Sequence, residues 1–87
     1  ERMNGVKIFL KLENSESPEL KFDKKYNVKI IETGEDYRTE RWYLDVEIES
    51  IDRYFIRLKR LNHNSKQDPY PKVTISKIVE VNEVENE

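Results

Sequence analysis

Residues 41–49, Arg41-Trp42-Tyr43-Leu44-Asp45-Val46-Glu47-Ile48-Glu49, set Trp42, Leu44, Val46 and Ile48 in strict alternation with Tyr43, Asp45, Glu47 and Glu49. A period of two is the mark of a strand buried on one face, and no helical period fits this run. A second run follows at 54–61, with Tyr54, Ile56 and Leu58 in one phase and Phe55, Arg57 and Lys59 in the other. Ser50, Ile51, Asp52 and Arg53 between them suffice for a four-residue turn, so the two runs are predicted to form a hairpin. Their polar faces carry opposite charge, which favours this pairing through cross-strand ion pairs. In this phase Trp42 belongs to the core, and Tyr43 points away from it.

The rest of the chain is read against that hairpin. Val6, Ile8, Leu10 and Leu12 alternate with Lys7, Phe9 and Lys11, which predicts a first strand over 6–12. Turn formers at 14–18 end it. Residues 19–25 form an irregular excursion whose Leu20 and Phe22 close one end of the core. A second strand is predicted at 26–32, with the break in alternation at Ile31 marking a bulge or strand end. Residues 33–40, with Gly34 and Asp36, connect into the Trp42 strand and leave Tyr37 at a loop tip. Residues 62–71 hold Pro69 and Pro71 among polar turn formers and cannot be a central strand. Val73 and Ile75 begin the last strand, Ser76-Lys77 offers a tight turn, and Ile78, Val79 and Val81 complete the apolar pattern. Residues 1–4 and 82–87 are expected to fray.

At 87 residues the chain has material for one small domain. It is 39% charged and 36% hydrophobic, but its apolar residues are clustered and periodic, which argues against disorder. It has no cysteine, so disulfides and thiolate metal sites are excluded and a reducing, cytoplasmic setting is the default expectation. No apolar run is long enough to span a bilayer, and no membrane partner is expected. The net charge of −2 gives no global pull toward nucleic acid. Alanine is absent, while Lys, Asn, Ile and Glu abound, as in AT-rich bacterial or mobile-element genomes. The chain begins Glu1-Arg2-Met3, which fits either two added residues before a start at Met3 or a domain cut from a longer protein.

Five short strands without a helical stretch predict a small five-stranded antiparallel barrel. Residues 19–32, Glu19-Leu20-Lys21-Phe22 through Glu32, then Trp42, then Ile75-Ser76-Lys77-Ile78-Val79-Glu80-Val81, resemble the layout of SH3-like domains. In that family a Glu-Leu-x-Phe loop leads into the second strand, a Trp opens the third and a 3₁₀ turn precedes the last. The resemblance implies an SH3-like barrel. It does not carry over proline-rich peptide binding, because the tyrosine-rich motif after the first strand and the groove's proline and tyrosine are missing here. A more local likeness joins Arg41-Trp42-Tyr43-Leu44 and residues 53–61 to the hairpin of WYL domains, SH3-like barrels of bacterial transcription regulators. It would imply ligand sensing or nucleic-acid binding.

Candidate chemistry is sparse. His63, the only histidine, lies between Asn62 and Asn64 in a polar loop and reads as exposed, not as a general base. Asp45, Glu47 and Glu49 read as a solvated strand face, without the varied offsets and turning glycine of a cation loop. No catalytic, metal or cofactor site is therefore assigned, and the chain is read as a non-enzyme. Phe55, Arg57 and Lys59 share one face, with Tyr43 and Phe9 similarly out of phase with the core. Aromatics beside cations suit a protein-binding hot spot or a base-stacking surface, and a third reading buries Phe9, Tyr43 and Phe55 under the loops. The candidate contact residues are Tyr37, Tyr43, Phe55, Arg57, Lys59 and Tyr70. The function these imply is a protein-interaction module, such as a phage or mobile-element protein that inhibits a host factor. The alternatives are a nucleic-acid-binding barrel and a ligand-sensing regulatory domain.

Overall fold

The structure, a computed structural model, describes residues 7–85. The fold is mostly β, with five strands in one antiparallel sheet: β1 (Lys25–Thr33), β2 (Arg38–Ile51), β3 (Phe55–Arg60), β4 (Lys72–Thr74) and β5 (Ile78–Glu83). A 3₁₀ turn, Ile75–Lys77, separates the last two. The order across the sheet is β4-β3-β2-β1-β5, and among the described residues no ladder joins β4 to β5, so the sheet is open. None of those residues forms a helix long and apolar enough to cross a membrane. The strand expected to end at residue 81 reaches Glu83, so Asn82 and Glu83 are ordered parts of β5 and not frayed tail. Residues 1–4 and 86–87 lie outside the described residues.

The predicted hairpin is present as β2 and β3, paired from Ile51↔Ile56 to Val46↔Arg60. Its turn falls two residues later than expected, at Asp52–Phe55, where the Asp52 amide donates to the Phe55 carbonyl at 2.9 Å. One Asp52 carboxylate oxygen accepts from the amides of Tyr54 and Phe55 at 2.9 and 2.8 Å, an Asx-type arrangement that fixes the reversal. Val46, Ile48, Ile56 and Leu58 face the core as the alternation requires. Trp42 and Leu44 do not, and this corrects the predicted phase. Val28 lies opposite Tyr43 and Tyr26 opposite Val46, so Asn27 faces two residues, Leu44 and Asp45. Asp45 takes φ 58°, and its amide donates to Asn27 Oδ1 at 2.8 Å. A bulge of this kind resets the side-chain phase by one residue. Tyr43 and Val46 therefore both turn inward, at 7% and 1% exposure, while Trp42 and Leu44 stand outside.

A second bulge leaves Glu49 unopposed between Ile48↔Leu58 and Ser50↔Arg57, and a third leaves Val79 unopposed on β5. These irregularities answer a demand of connectivity. Val73 pairs with Ile56, which pairs with Ile51; Ile78 pairs with Ile30, which pairs with Arg41. In a flat sheet the ends of β2 that those rows mark would stand about 33 Å apart along the strand, and four strand spacings would add about 19 Å across it. The chain from Val73 to Ile78 spans five Cα steps, about 19 Å at most. The sheet must therefore coil, and β2 bends most.

The segment predicted as a first strand is not one. Residues 7–20 fold back on themselves through isolated bridges Ile8↔Leu20 and Lys11↔Glu16, with Ser17 N–H to Leu10 O at 2.9 Å and Leu20 N–H to Ile8 O at 2.8 Å. The amides of Leu10, Leu12, Ser17 and Leu20 all donate within this lobe and not to the sheet. Buried Ser17 accepts from the Leu10 amide and donates to the Pro18 carbonyl, both at 2.8 Å. Leu10, Leu12 and Leu20 enter the core, and Phe22 packs against it, as expected of Leu20 and Phe22. Tyr26, fully buried, ties the lobe to β1: its hydroxyl accepts from the Lys21 amide at 2.9 Å and donates to the Glu19 carbonyl at 3.2 Å.

The bulge at Asp45 is testable by its backbone. Asp45→Gly is expected to keep or raise stability by up to about 1 kcal/mol, because glycine visits positive φ without strain. Asp45→Val is expected to lower it by about 1–2 kcal/mol, since a branched side chain is strained there. Urea midpoints of the two variants check this, and equal midpoints would contradict it.

Candidate functional site

Two surfaces carry the exposed aromatic residues, and the coiling of the sheet separates them. The first is the outer face of β3 and β4. Ser50, Arg57 and Lys72 form one row across β2, β3 and β4, with Phe55 opposite Thr74 in the next and Lys59 opposite Glu47 beyond. Phe55 is half-buried, with Lys72 Nζ over its ring at 4.3 Å from the centroid. Arg57 Nη1 donates to the Tyr70 carbonyl and Arg60 Nε to the Asp68 carbonyl, each at 2.9 Å, so two guanidinium groups are held by the backbone of the 61–71 connection. The sequence thus places Phe55, Arg57, Lys59 and Tyr70 together. It does not place Tyr37 with them: this residue lies on the β1–β2 loop at the far end of β2, exposed, with its ring over Gly34. A Cβ at residue 34 would meet that ring, so a larger residue there would require the exposed Tyr37 side chain to swing away.

Tyr43 is a correction. It is buried and not an exposed anchor, and its ring is covered by the guanidinium groups of Arg41 and Arg60, 5.2 and 5.1 Å from its centroid. The loops do not bury it; the Asp45 bulge does. Nor do the loops cover Phe9, which stays exposed. His63 sits in the exposed loop as read, with Nδ1 3.1 Å from the Asn64 carbonyl.

The second surface was missed. Trp42 and Leu44 project from β2 with 42% and 63% of their area exposed, on a strand interior and not a loop. Trp42 is opposite Lys29 on β1, whose ammonium lies 5.5 Å from the indole centroid. One diagonal step along β1 is Ile31, within reach of a large ring. Ile31 forms one wall of a groove of about 430 Å³, together with Leu12, Ile78 and Val79, and with Lys11, Glu13 and Ser76 at its polar edge. Trp42, Ile31 and the groove therefore adjoin. Only Asp45 hinted at this in the sequence, since aspartate is among the few residues enriched at positive φ.

Charge is divided between the surfaces. Ion pairs border the second, Lys29 with Glu40 and Glu80 at 3.3 and 3.5 Å and Arg38 with Glu13 at 3.6 Å, while Arg41, stacked on Tyr43 in the inward phase of β2, pairs with Glu32 at 3.5 Å. The hydrogen bond from Lys29 to Glu40 raises the lysine's pKa, and that from Asn82 lowers the pKa of Glu80. The ion pairs expected between β2 and β3 do not form among the described residues; salt bridges gather instead on β1 and its neighbours. The bulge leaves Glu49 unopposed, and Glu47, though directly opposite Lys59, forms no ion pair with it, as the weak individual worth of exposed pairs allows. No family model, no characterised protein and no solved structure matches this chain.

The amides of Phe55 and then Tyr54 lower the pKa of Asp52, with Lys72 adding to the effect. A carboxyl with a depressed folded pKa stabilises the fold above its unfolded value and ceases to do so as the pH falls through the folded one. Asp52→Asn is therefore expected to melt below the parent at neutral pH, and the gap should narrow as the pH drops below about 4. Thermal melts of both proteins across that range check this; a gap that is constant with pH would show that the charge contributes nothing.

Proposed function

We propose that the chain is a non-enzymatic protein-interaction module on an SH3-like scaffold, and that its contact surface is the Trp42 face. The 3₁₀ turn ahead of β5 supports the scaffold reading, since such a turn precedes the last strand in SH3-like domains. The observation that carries the function is the exposure of Trp42 and Leu44 on a strand whose bulge turns both outward. Exposed apolar residues that stand singly need no explanation, but Leu44 and Trp42 follow one another along β2, and Trp42 is one diagonal step from Ile31, which walls the groove. Tryptophan is the residue most favoured at binding hot spots, where a surrounding ring of near-neutral polar contacts excludes water. The ion pairs of Lys29 and Arg38 supply such a rim, already paired within the chain, so covering it would strand no lone charge.

This surface replaces the one centred on Tyr43 and Phe55. A partner fitting it presents an aliphatic or aromatic side chain to the groove beside β5, with Trp42 closing over the contact. The module acts by occupying its partner, and inhibition of a host factor is one form this would take.

Residues 42 and 44 lie outside the buried core cluster, so changing them is expected to lower stability by no more than about 1 kcal/mol, the worth of the Lys29 stacking on Trp42 included. With a partner first identified by cross-linking, Trp42→Ala together with Leu44→Asp should weaken the complex by about 2 kcal/mol or more, roughly thirtyfold. Tyr54→Ala serves as the exposed aromatic control and should change little. Full binding by the double variant in titration calorimetry would refute the assignment of this face.

A further inference from the structure

The outer face of β3 and β4 takes no part in that contact, and its chemistry is different. It lies on an acidic chain, yet the row Ser50, Arg57 and Lys72 gathers two cations and a hydroxyl, with Lys59 next along β3. Among the described residues none of Arg57, Lys59 and Lys72 is in a salt bridge. Where the Phe55 ring, Asp52 and that row meet, the surface dips into a small depression of about 130 Å³. Asp52 lines it as well, but one of its carboxylate oxygens is occupied by the two turn amides.

The cations here are already positioned. Arg57 uses one guanidinium N–H on the Tyr70 carbonyl. A guanidinium has five N–H donors in a rigid fork, so the group is oriented and still has donors to spare. Lys72 rests on the Phe55 ring and is held over the same depression. A phosphate entering it would meet ordered donors from an arginine, a lysine and a serine, and little side-chain entropy would be lost on binding.

Exposed aromatic rings flank this strip on both sides. Tyr54, 63% exposed, stands at the turn beside Phe55, with Arg53 5.9 Å from its ring centroid. Tyr70, 41% exposed, stands at the other side, on the residue whose carbonyl holds Arg57. An acidic peptide would use the cations but has no need of the rings. A single-stranded nucleic acid uses both, with phosphates on the basic track and bases stacked on tyrosine faces, largely without regard to sequence.

We propose that the β3–β4 face binds single-stranded nucleic acid, with a backbone phosphate seated among Ser50, Arg57 and Lys72 and flanking bases stacked on Tyr54 and Tyr70. This site is independent of the Trp42 face, and the module would bring a nucleic acid and a protein together at separate places on the outer surface of one coiled sheet.

The probe is a fluorescently labelled oligodeoxythymidylate of about 15 nucleotides, long enough for one small β-domain. Its anisotropy with the full chain should report binding at low salt, weakening about tenfold or more between about 50 and 200 mM salt as counterions cease to drive association. Arg57→Glu with Lys72→Glu should abolish it, and Tyr70→Ala should weaken it about tenfold at constant salt dependence. Trp42→Ala should leave it unchanged, which separates this site from the protein contact. Circular dichroism melts confirm that each variant is folded. No binding at low salt, equal competition by polyglutamate of the same charge, or full binding by the Arg57→Glu, Lys72→Glu variant would each overturn the proposal.

Discussion

The path from β4 to β5 governs the shape of this molecule. These strands occupy opposite edges of the sheet, yet only Ile75, Ser76 and Lys77 lie between them. No flat arrangement of five strands lets so short a link reach, so the sheet must coil until its edges approach. Coiling requires β2, the 14-residue central strand, to bend, and a strand bends where an extra residue interrupts its ladder. The two bulges on β2 are therefore a condition of the topology. The Asn27 side chain that captures the Asp45 amide, and the positive φ it accompanies, are how the sequence meets that condition at one of them.

That same condition explains what could be read from the sequence and what could not. The pairing of β2 with β3 was legible, because Val46, Ile48, Ile56 and Leu58 keep a clean alternation and the turn between them holds Asp52. The phase of Trp42 and Tyr43 was not, because alternation carries a phase forward only while the ladder is unbroken, and a single inserted residue inverts everything beyond it. Residues 6–12 failed for a different reason. Their alternation is real and Leu10 and Leu12 are buried, but period two describes any extended chain lying over a core, whether or not it pairs with a sheet. Where its hydrogen bonds go is decided by residues 15–20 folding back on it.

Of the candidate contact residues, Phe55, Arg57, Lys59 and Tyr70 were found together because three of them share one strand and the fourth lies on the connection that follows it. Tyr43 was misassigned through the inverted phase, and Tyr37 was grouped by residue type with a face that β2 carries it away from. The Trp42 face was invisible for the converse reason. A tryptophan in strict register with Val46 and Ile48 is assigned to the core by every pattern argument, so the residue with the most to tell about contact was the one the pattern concealed.

Geometry alone does not account for what stands at residues 42 and 44. The coil fixes the direction in which those side chains point, and it would do so equally for a serine, a threonine or a lysine, each acceptable on the outside of a strand. A buried indole contributes several times the transfer free energy of a methylene, about 0.8 kcal/mol each, so leaving two-fifths of one in water forgoes a term that matters in a domain of this size. The fold gains only the Lys29 stacking from Trp42 in that position, since Tyr43 has taken its place in the core beneath the two arginines. On the interaction reading proposed above, that free energy is recovered when a partner covers the ring. Trp42 and Leu44 are then set by contact, whereas Asp45 and Asn27 are set by the bend of β2.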